Sequence, residues 1–123
     1  MKILIIDDER SIRNSLKEIL VDEGYDVDLA ENGSQGCAMV DKEKYSVIFC
    51  DIKMPEMDGM EVLDRFNQMG IDAAVVMISG HGDIAVAVEC IKKGAFDFIP
   101  KPLDLNRILI TIKNATEKVS LVK

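Results

Sequence analysis

The sequence predicts an α/β protein: a doubly wound, five-stranded parallel sheet with five helices. Three observations carry the prediction. Apolar runs of strand length end on polar residues: Lys2-Ile3-Leu4-Ile5-Ile6 on Asp7-Asp8, Val47-Ile48-Phe49-Cys50 on Asp51, and Ala74-Val75-Val76-Met77-Ile78 on Ser79, while Phe96-Asp97-Phe98-Ile99 ends on Pro100-Lys101-Pro102. Between the runs the apolar residues recur at helical spacing. One further segment, Tyr25 to Leu29, is apolar on one side only. Strands alternating with helices in this way give a parallel sheet with right-handed crossovers on both faces.

Taken in order, the first strand leads into a helix in which Ile12, Leu16, Ile19 and Leu20 share a face, and Gly24 is placed to stop it. Tyr25, Val27 and Leu29 alternate with Asp26 and Asp28, as expected of a strand at the sheet edge. Asn32-Gly33 turns into a weaker helix over about 34–44, carrying Cys37, Ala38 and Val40. The third strand runs to Asp51. The loop Ile52-Lys53-Met54-Pro55-Glu56-Met57-Asp58-Gly59 leads to a helix with Val62, Leu63, Phe66 and Met69 on one face and Gly70 at its end. Strand four is followed by Gly80-His81-Gly82 and a helix from about Asp83, an N-cap residue, with Ile84, Ala87, Val88 and Ile91 turned inward; Gly94 closes it. The last helix, from about Leu105, packs Leu105, Ile108, Leu109, Ile112 and Thr116, leaving Ile110, Val119, Leu121 and Val122 unplaced. An edge-like second strand favours the order 2-1-3-4-5, the flavodoxin-like arrangement, whose switch point lies between strands one and three. Asp7, Asp8 and Asp51 flank that point.

Length and composition fit one domain, at 48% hydrophobic and 30% charged. A formal charge of −7 without a basic stripe argues against direct nucleic-acid binding. Cys37, Cys50 and Cys90 are odd in number, widely spaced and set in apolar patterns, which reads as buried free thiols in a reducing cytosol rather than metal ligands. No charged leader precedes the first strand and no apolar run approaches the roughly 20 residues of a membrane span, so the expected location is cytoplasmic, with no membrane partner.

In open α/β sheets the chemistry sits at the carboxyl ends of the strands, so Asp7, Asp8, Asp51, Ser79 and Lys101 are expected in one cleft. Two carboxylates roughly 4 Å apart repel by about 4 kcal/mol at an effective dielectric of about 20, so three of them stand in need of a cation. Mg2+ suits the set, because it takes oxygen ligands, keeps several waters and works with one or two carboxylates plus a phosphate. Lys101, fixed between two prolines, supplies a point charge for a phosphoryl oxygen, and Ser79 with Gly80 offers a hydroxyl in a small loop. Lys53 and Glu56 read as solvent-facing, and Asp58-Gly59 as a turn and helix cap. For any single aspartate a helix N-cap is an equally good reading; the three together with Lys101 favour a metal-assisted phosphoryl acceptor.

These motifs, in this order and spacing, resemble the receiver domain of bacterial two-component response regulators over Lys2 to about Thr116, so that 1–118 reads as the receiver and 119–123 as the start of a linker or tail. The resemblance implies that Asp51 accepts a phosphoryl group from a phosphohistidine of a sensor histidine kinase or phosphotransfer protein. It implies that Asp8, Asp51 and the backbone carbonyl of Lys53 bind Mg2+, with Asp7 acting mostly through water. Lys101 and Ser79 would hold the phosphoryl oxygens, with Ser79 moving toward them, and Lys101-Pro102 would be a cis peptide. Phe98 occupies the aromatic switch position where many receivers have tyrosine, which removes any readout through a hydroxyl. His81 is expected to tune dephosphorylation. Such a domain is a switch that assists its own phosphorylation and slow dephosphorylation rather than a conventional enzyme. The Ser79-Gly80-His81-Gly82 and Gly94 to Asp104 details are similar to nitrogen-regulatory receivers that precede a sigma-54 activating ATPase. An effector domain in a longer protein and a homodimer through helices four and five are further expectations, a stand-alone phosphorelay receiver the alternative. A magnesium-dependent aspartyl phosphohydrolase is disfavoured, because Asp7-Asp8-Glu9 lacks two aspartates one residue apart. A flavin-type cofactor binder is disfavoured for want of a Ser/Thr-rich cradle after Ile6.

Overall fold

The computed structural model describes residues 1–80 and 84–121, with their side chains except those of Ile84 and of residues 118–121. His81 and the Asp83 cap therefore lie outside the described residues, as do the side chains of Val119, Leu121 and Val122. Five strands, β1 (Lys2–Ile6), β2 (Asp26–Ala30), β3 (Val47–Asp51), β4 (Ala74–Ser79) and β5 (Asp97–Pro100), alternate with α1 (Arg10–Asp22), α2 (Gly33–Lys42), α3 (Gly59–Met69), α4 (Ile84–Lys92) and α5 (Leu105–Leu121). All strand pairs are parallel and the order is β2-β1-β3-β4-β5, as the edge-like second strand predicts.

Successive strand residues point to opposite faces, and both faces are buried here, so β1, β3 and β4 are apolar without interruption. One core holds Ile3, Ile5, Phe49, Val76 and Ile78 against α1 and α5; the other holds Leu4, Ile6, Ile48, Cys50 and Met77 against α2, α3 and α4. Sulfur is segregated between them. Cys37, Cys50, Cys90 and Met39, Met54, Met57, Met60 and Met77 all belong to the second core, and the first is built from aliphatic and aromatic residues. The cysteines are free, with Cys50 and Cys90 buried and Cys37 half-buried.

Helix boundaries follow the sequence signals. Asn32 caps α2 by accepting from the Gln35 N–H at 2.8 Å, and Asp58 caps α3 by accepting from Glu61 N–H at 3.0 Å. Gly70 ends α3 in the left-handed conformation, at φ +66°. The inward face of α4 differs from the expected one. Val88 and Ile91 are exposed, and Cys90 with Val86 packs on the sheet instead. Ile84 to Val88 is apolar at every position, so periodicity alone does not choose a face there; contact with β5, and of Cys90 with Met60 of α3, does. Leu105 and Met69, the first residue of α5 and the last of α3, are likewise exposed rather than packed.

Candidate functional site

Four strand ends deliver side chains to one edge. Asp7 follows β1, Asp51 and Ser79 are the last residues of β3 and β4, and Lys101 follows β5. The sheet hydrogen bonding continues past the strands and fixes these ends: Asp7 N–H donates to Ala30 O at 3.2 Å, Ile52 N–H to Ile78 O at 2.9 Å, and Lys101 N–H to Ser79 O at 2.7 Å. The Lys101-Pro102 peptide is cis, as the resemblance implies.

Asp7, Asp51 and Ser79 are buried, whereas Asp8 reaches solvent. Carboxylate oxygens of Asp7, Asp8 and Asp51 lie within 4.8 Å of one another. Lys101 Nζ stands 3.6 Å from Asp51 Oδ2, 3.9 Å from Asp7 Oδ2 and 3.6 Å from Glu9 Oε1. These are ion pairs, too long for hydrogen bonds. The ammonium is shared among three acids and saturates none of them.

Electrostatics record that shortage. Burial, then the charge of Asp7, pushes the Asp51 carboxyl up to about 6, against the opposing pull of Lys101. Burial likewise raises Asp7, offset by the Glu9 N–H that its Oδ1 accepts at 2.8 Å and by Lys101. For Lys101, burial works against the charged form, but Asp51, Asp7 and Glu9 outweigh it and raise the ammonium above its ordinary value. Asp7 Oδ2 is buried and has no hydrogen-bond partner among the described residues. A buried acceptor left in that state is costly, and here it adjoins two more acidic oxygens. An all-oxygen donor set at this spacing fits a hard divalent cation that keeps some of its waters, so the residues present fit Mg2+.

The structure thus brings together Asp7, Asp8, Asp51 and Lys101, with Ser79 adjoining them through its carbonyl. Lys53 is in the following loop with an exposed side chain, and Phe98 in β5 is partly buried against the sulfur-rich core, opposite Met77. Two residues, Glu9 and Arg13, carry no site reading in the sequence, and a third, Gly59, reads there only as part of a turn and cap. Glu9 shares Lys101, and its exposed side chain gave no signal. Gly59 is more than a turn residue: its N–H donates to Ile52 O at 2.7 Å, and a Cβ there would lie 2.5 Å from Asp51 O and 2.7 Å from Ile52 Cα. Its signal was the glycine directly after the Asp58 cap. Arg13 is buried on the same α1 face as Leu16 and Leu20, a cation inside an apolar stripe.

The family model for the response regulator receiver domain matches residues 3–113. The chain is 40% identical over 121 residues to the nitrogen assimilation regulatory protein NtrX of Azorhizobium caulinodans, covering 97% of this chain and 27% of that protein. It is 38% identical over 118 residues to the chemotaxis protein CheY of Listeria monocytogenes, covering 95% of this chain and 99% of that one. Among solved structures, a response regulator receiver domain protein from Clostridium thermocellum superposes with a TM-score of 0.92 at 32% identity, covering 99% of this chain and 98% of that one. NtrX from Brucella abortus superposes with a TM-score of 0.90 at 36% identity, covering 98% of this chain and 28% of that one.

Proposed function

Because this chain belongs to the response regulator receiver domains, the phosphoacceptor switches of two-component systems, we propose that Asp51 is its phosphoryl acceptor and that Asp7, Asp8, Asp51 and the Lys53 backbone carbonyl hold Mg2+. The observation that carries this reading is the buried Asp51 carboxylate, within metal-sharing distance of Asp7 and Asp8 and 3.6 Å from the Lys101 ammonium. A carboxylate oxygen of Asp51 attacks the phosphorus of a phosphohistidine; a P–O bond forms, the P–N bond breaks, and the imidazole of the donor leaves and takes up a proton. Bound Mg2+ would supply charge neutralisation for the phosphoryl oxygens. Lys101 and Ser79 bind those oxygens from the other side. Such transfers through a loose transition state call for positioning and charge neutralisation more than for a strong base.

The donor is a sensor histidine kinase or a phosphotransfer protein, and the domain acts in the cytoplasm as a switch that assists its own phosphorylation and slow dephosphorylation. The chain spans 27% of the length of the NtrX relative and 26% of that of a Rhizobium meliloti relative named as a transcriptional regulatory protein, DctD, which supports an effector domain acting on transcription in a longer protein. The CheY relative, covered over 99% of its length, supports the stand-alone alternative. With a net charge of −7 the domain itself is no nucleic-acid binder. The added charge, about −2, would draw Ser79 and Phe98 inward and alter the α4–α5 surface, where exposed Val88, Ile91 and Ile110 suit a homodimer contact.

The experiment is intact mass after incubation with acetyl phosphate and Mg2+, on the wild type and on Asp51→Asn. A single phosphoryl adduct that needs Mg2+ and vanishes in the variant is expected. An adduct that persists in Asp51→Asn would overturn the assignment of the acceptor. Sedimentation with and without a phosphoryl mimic tests the dimer; a monomer in both would remove it.

A further inference from the structure

We propose that Arg13 is a positioning residue for the metal site, holding the Asp7–Asp8 peptide from behind so that both carboxylates stay aimed into the cleft. The proposal rests on the reading of Asp7, Asp8 and Asp51 as Mg2+ ligands. Arg13 is 8% exposed, and its Nη1 donates to the Asp7 carbonyl at 2.7 Å. Its Nη2 lies 3.7 Å from Glu31 Oε1, a side chain that is 72% exposed.

A guanidinium is expensive to bury, and an apolar residue in its place would continue the stripe of Leu16 and Leu20. What Arg13 provides there is a charge-assisted hydrogen bond to one backbone oxygen. That oxygen belongs to the peptide linking the two aspartates. The preceding peptide is also held, since the Asp7 N–H donates to Ala30 O. Asp7 is thereby clamped through its backbone on both sides, by β2 at its nitrogen and by α1 at its carbonyl.

The need for a backbone clamp follows from the state of the carboxylates. Ligand oxygens have to remain available to a cation: the Glu9 N–H holds Asp7 through Oδ1 at 2.8 Å, but Asp7 Oδ2 makes no hydrogen bond among the described residues, and Asp8 reaches solvent. Beyond that one bond, orientation comes through the main chain. Arg13 does this without neutralising the site, because its ion pair is with Glu31 rather than with Asp7 or Asp8.

Mg2+ demands near-octahedral geometry, whereas Ca2+ accepts variable coordination, so a loosened site should lose Mg2+ preferentially. The test is calorimetric titration of the domain with Mg2+ and separately with Ca2+, on the wild type, Arg13→Met and Arg13→Lys, with thermal melts in EDTA. We expect Arg13→Met to weaken Mg2+ binding by about 10-fold or more, the size typical of losing a residue that orients ligands, and Ca2+ binding by much less. Arg13→Lys, which keeps the charge but not the fork, should fall between, and it serves if Arg13→Met fails to fold. Mg2+ affinity within twofold of wild type in folded variants, or an equal loss for both ions, would overturn the proposal. A wild type that binds no Mg2+ would overturn the metal-site reading itself and this inference with it, an outcome visible before any variant is made.

Discussion

The Lys101 ammonium lies 3.6 Å from Asp51 Oδ2, near enough to attract the carboxylate and too far to hydrogen-bond it. A cation held in this way is a counter-charge waiting for a closer partner, and a phosphoryl oxygen on Asp51 would be one. Lys101→Met is therefore expected to slow labelling by acetyl phosphate by roughly 100-fold, the usual scale for removing one preorganised charge stabiliser. It should also tighten Mg2+ binding, since a positive charge leaves the same cleft. Labelling rates by intact mass and a Mg2+ titration check the pair of opposite signs; unchanged labelling would remove Lys101 from the transfer.

Asp51 makes the metal-free domain pH-sensitive. Its folded-state value is raised to about 6 from the ordinary 3.8, chiefly by burial, so the fold prefers the protonated carboxyl. The stability linked to that proton is fully present below about pH 4 and is lost as pH rises through about 6. In EDTA at pH 7.5, Asp51→Asn should be more stable than wild type by on the order of 2 kcal/mol, and the difference should vanish near pH 4. Urea melts at both pH values measure it. Saturating Mg2+ at pH 7.5 should stabilise the wild type more than the variant.

At Gly59 the helix start and the loop after Asp51 are in backbone contact, which leaves no space for a side chain. Both nearest neighbours of an added Cβ are main-chain atoms, Asp51 O and Ile52 Cα, so neither yields cheaply. Gly59→Ala should cost about 1–3 kcal/mol, as overpacked substitutions do, and should shift the Asp51 carbonyl enough to slow phosphoryl labelling. A variant with wild-type melting and labelling would show that α3 can back away from the loop.

Asp97 and Arg107 separate a buried role from an exposed one. Asp97 accepts from the Phe98 N–H at 2.8 Å, from Thr111 Oγ1 at 3.3 Å and from Arg107 Nη2 at 3.2 Å, tying α5 to β5 beside Phe98. Thr111 is buried and Arg107 exposed. Asp97→Ala strands the Thr111 hydroxyl and should cost about 1–3 kcal/mol, whereas Arg107→Ala loses an exposed pair and should cost below about 1 kcal/mol. Thermal or urea unfolding of both variants decides it, and equal losses would place the weight of the contact on Arg107.

The sequence by itself determined the strand and helix order, because each buried parallel strand is an unbroken apolar run and each run ends on a residue that water or a ligand must meet. It favoured the strand order as well, through the one-sided Asp26 and Asp28 of the edge strand. The cluster of Asp7, Asp8, Asp51 and Lys101 was legible for the same reason: parallel strands put all their carboxyl ends on one edge. Tertiary structure decided what periodicity leaves undetermined. The buried face of α4 went to Val86 and Cys90 rather than Val88 and Ile91, since a helix apolar at nearly every position takes its orientation from its neighbours. The close approach of Gly59 to Asp51 and the grip of Arg13 on the Asp7 carbonyl depend on how helices dock against strand ends. Those contacts join residues through space to main-chain atoms, which carry no side-chain signature a sequence can display.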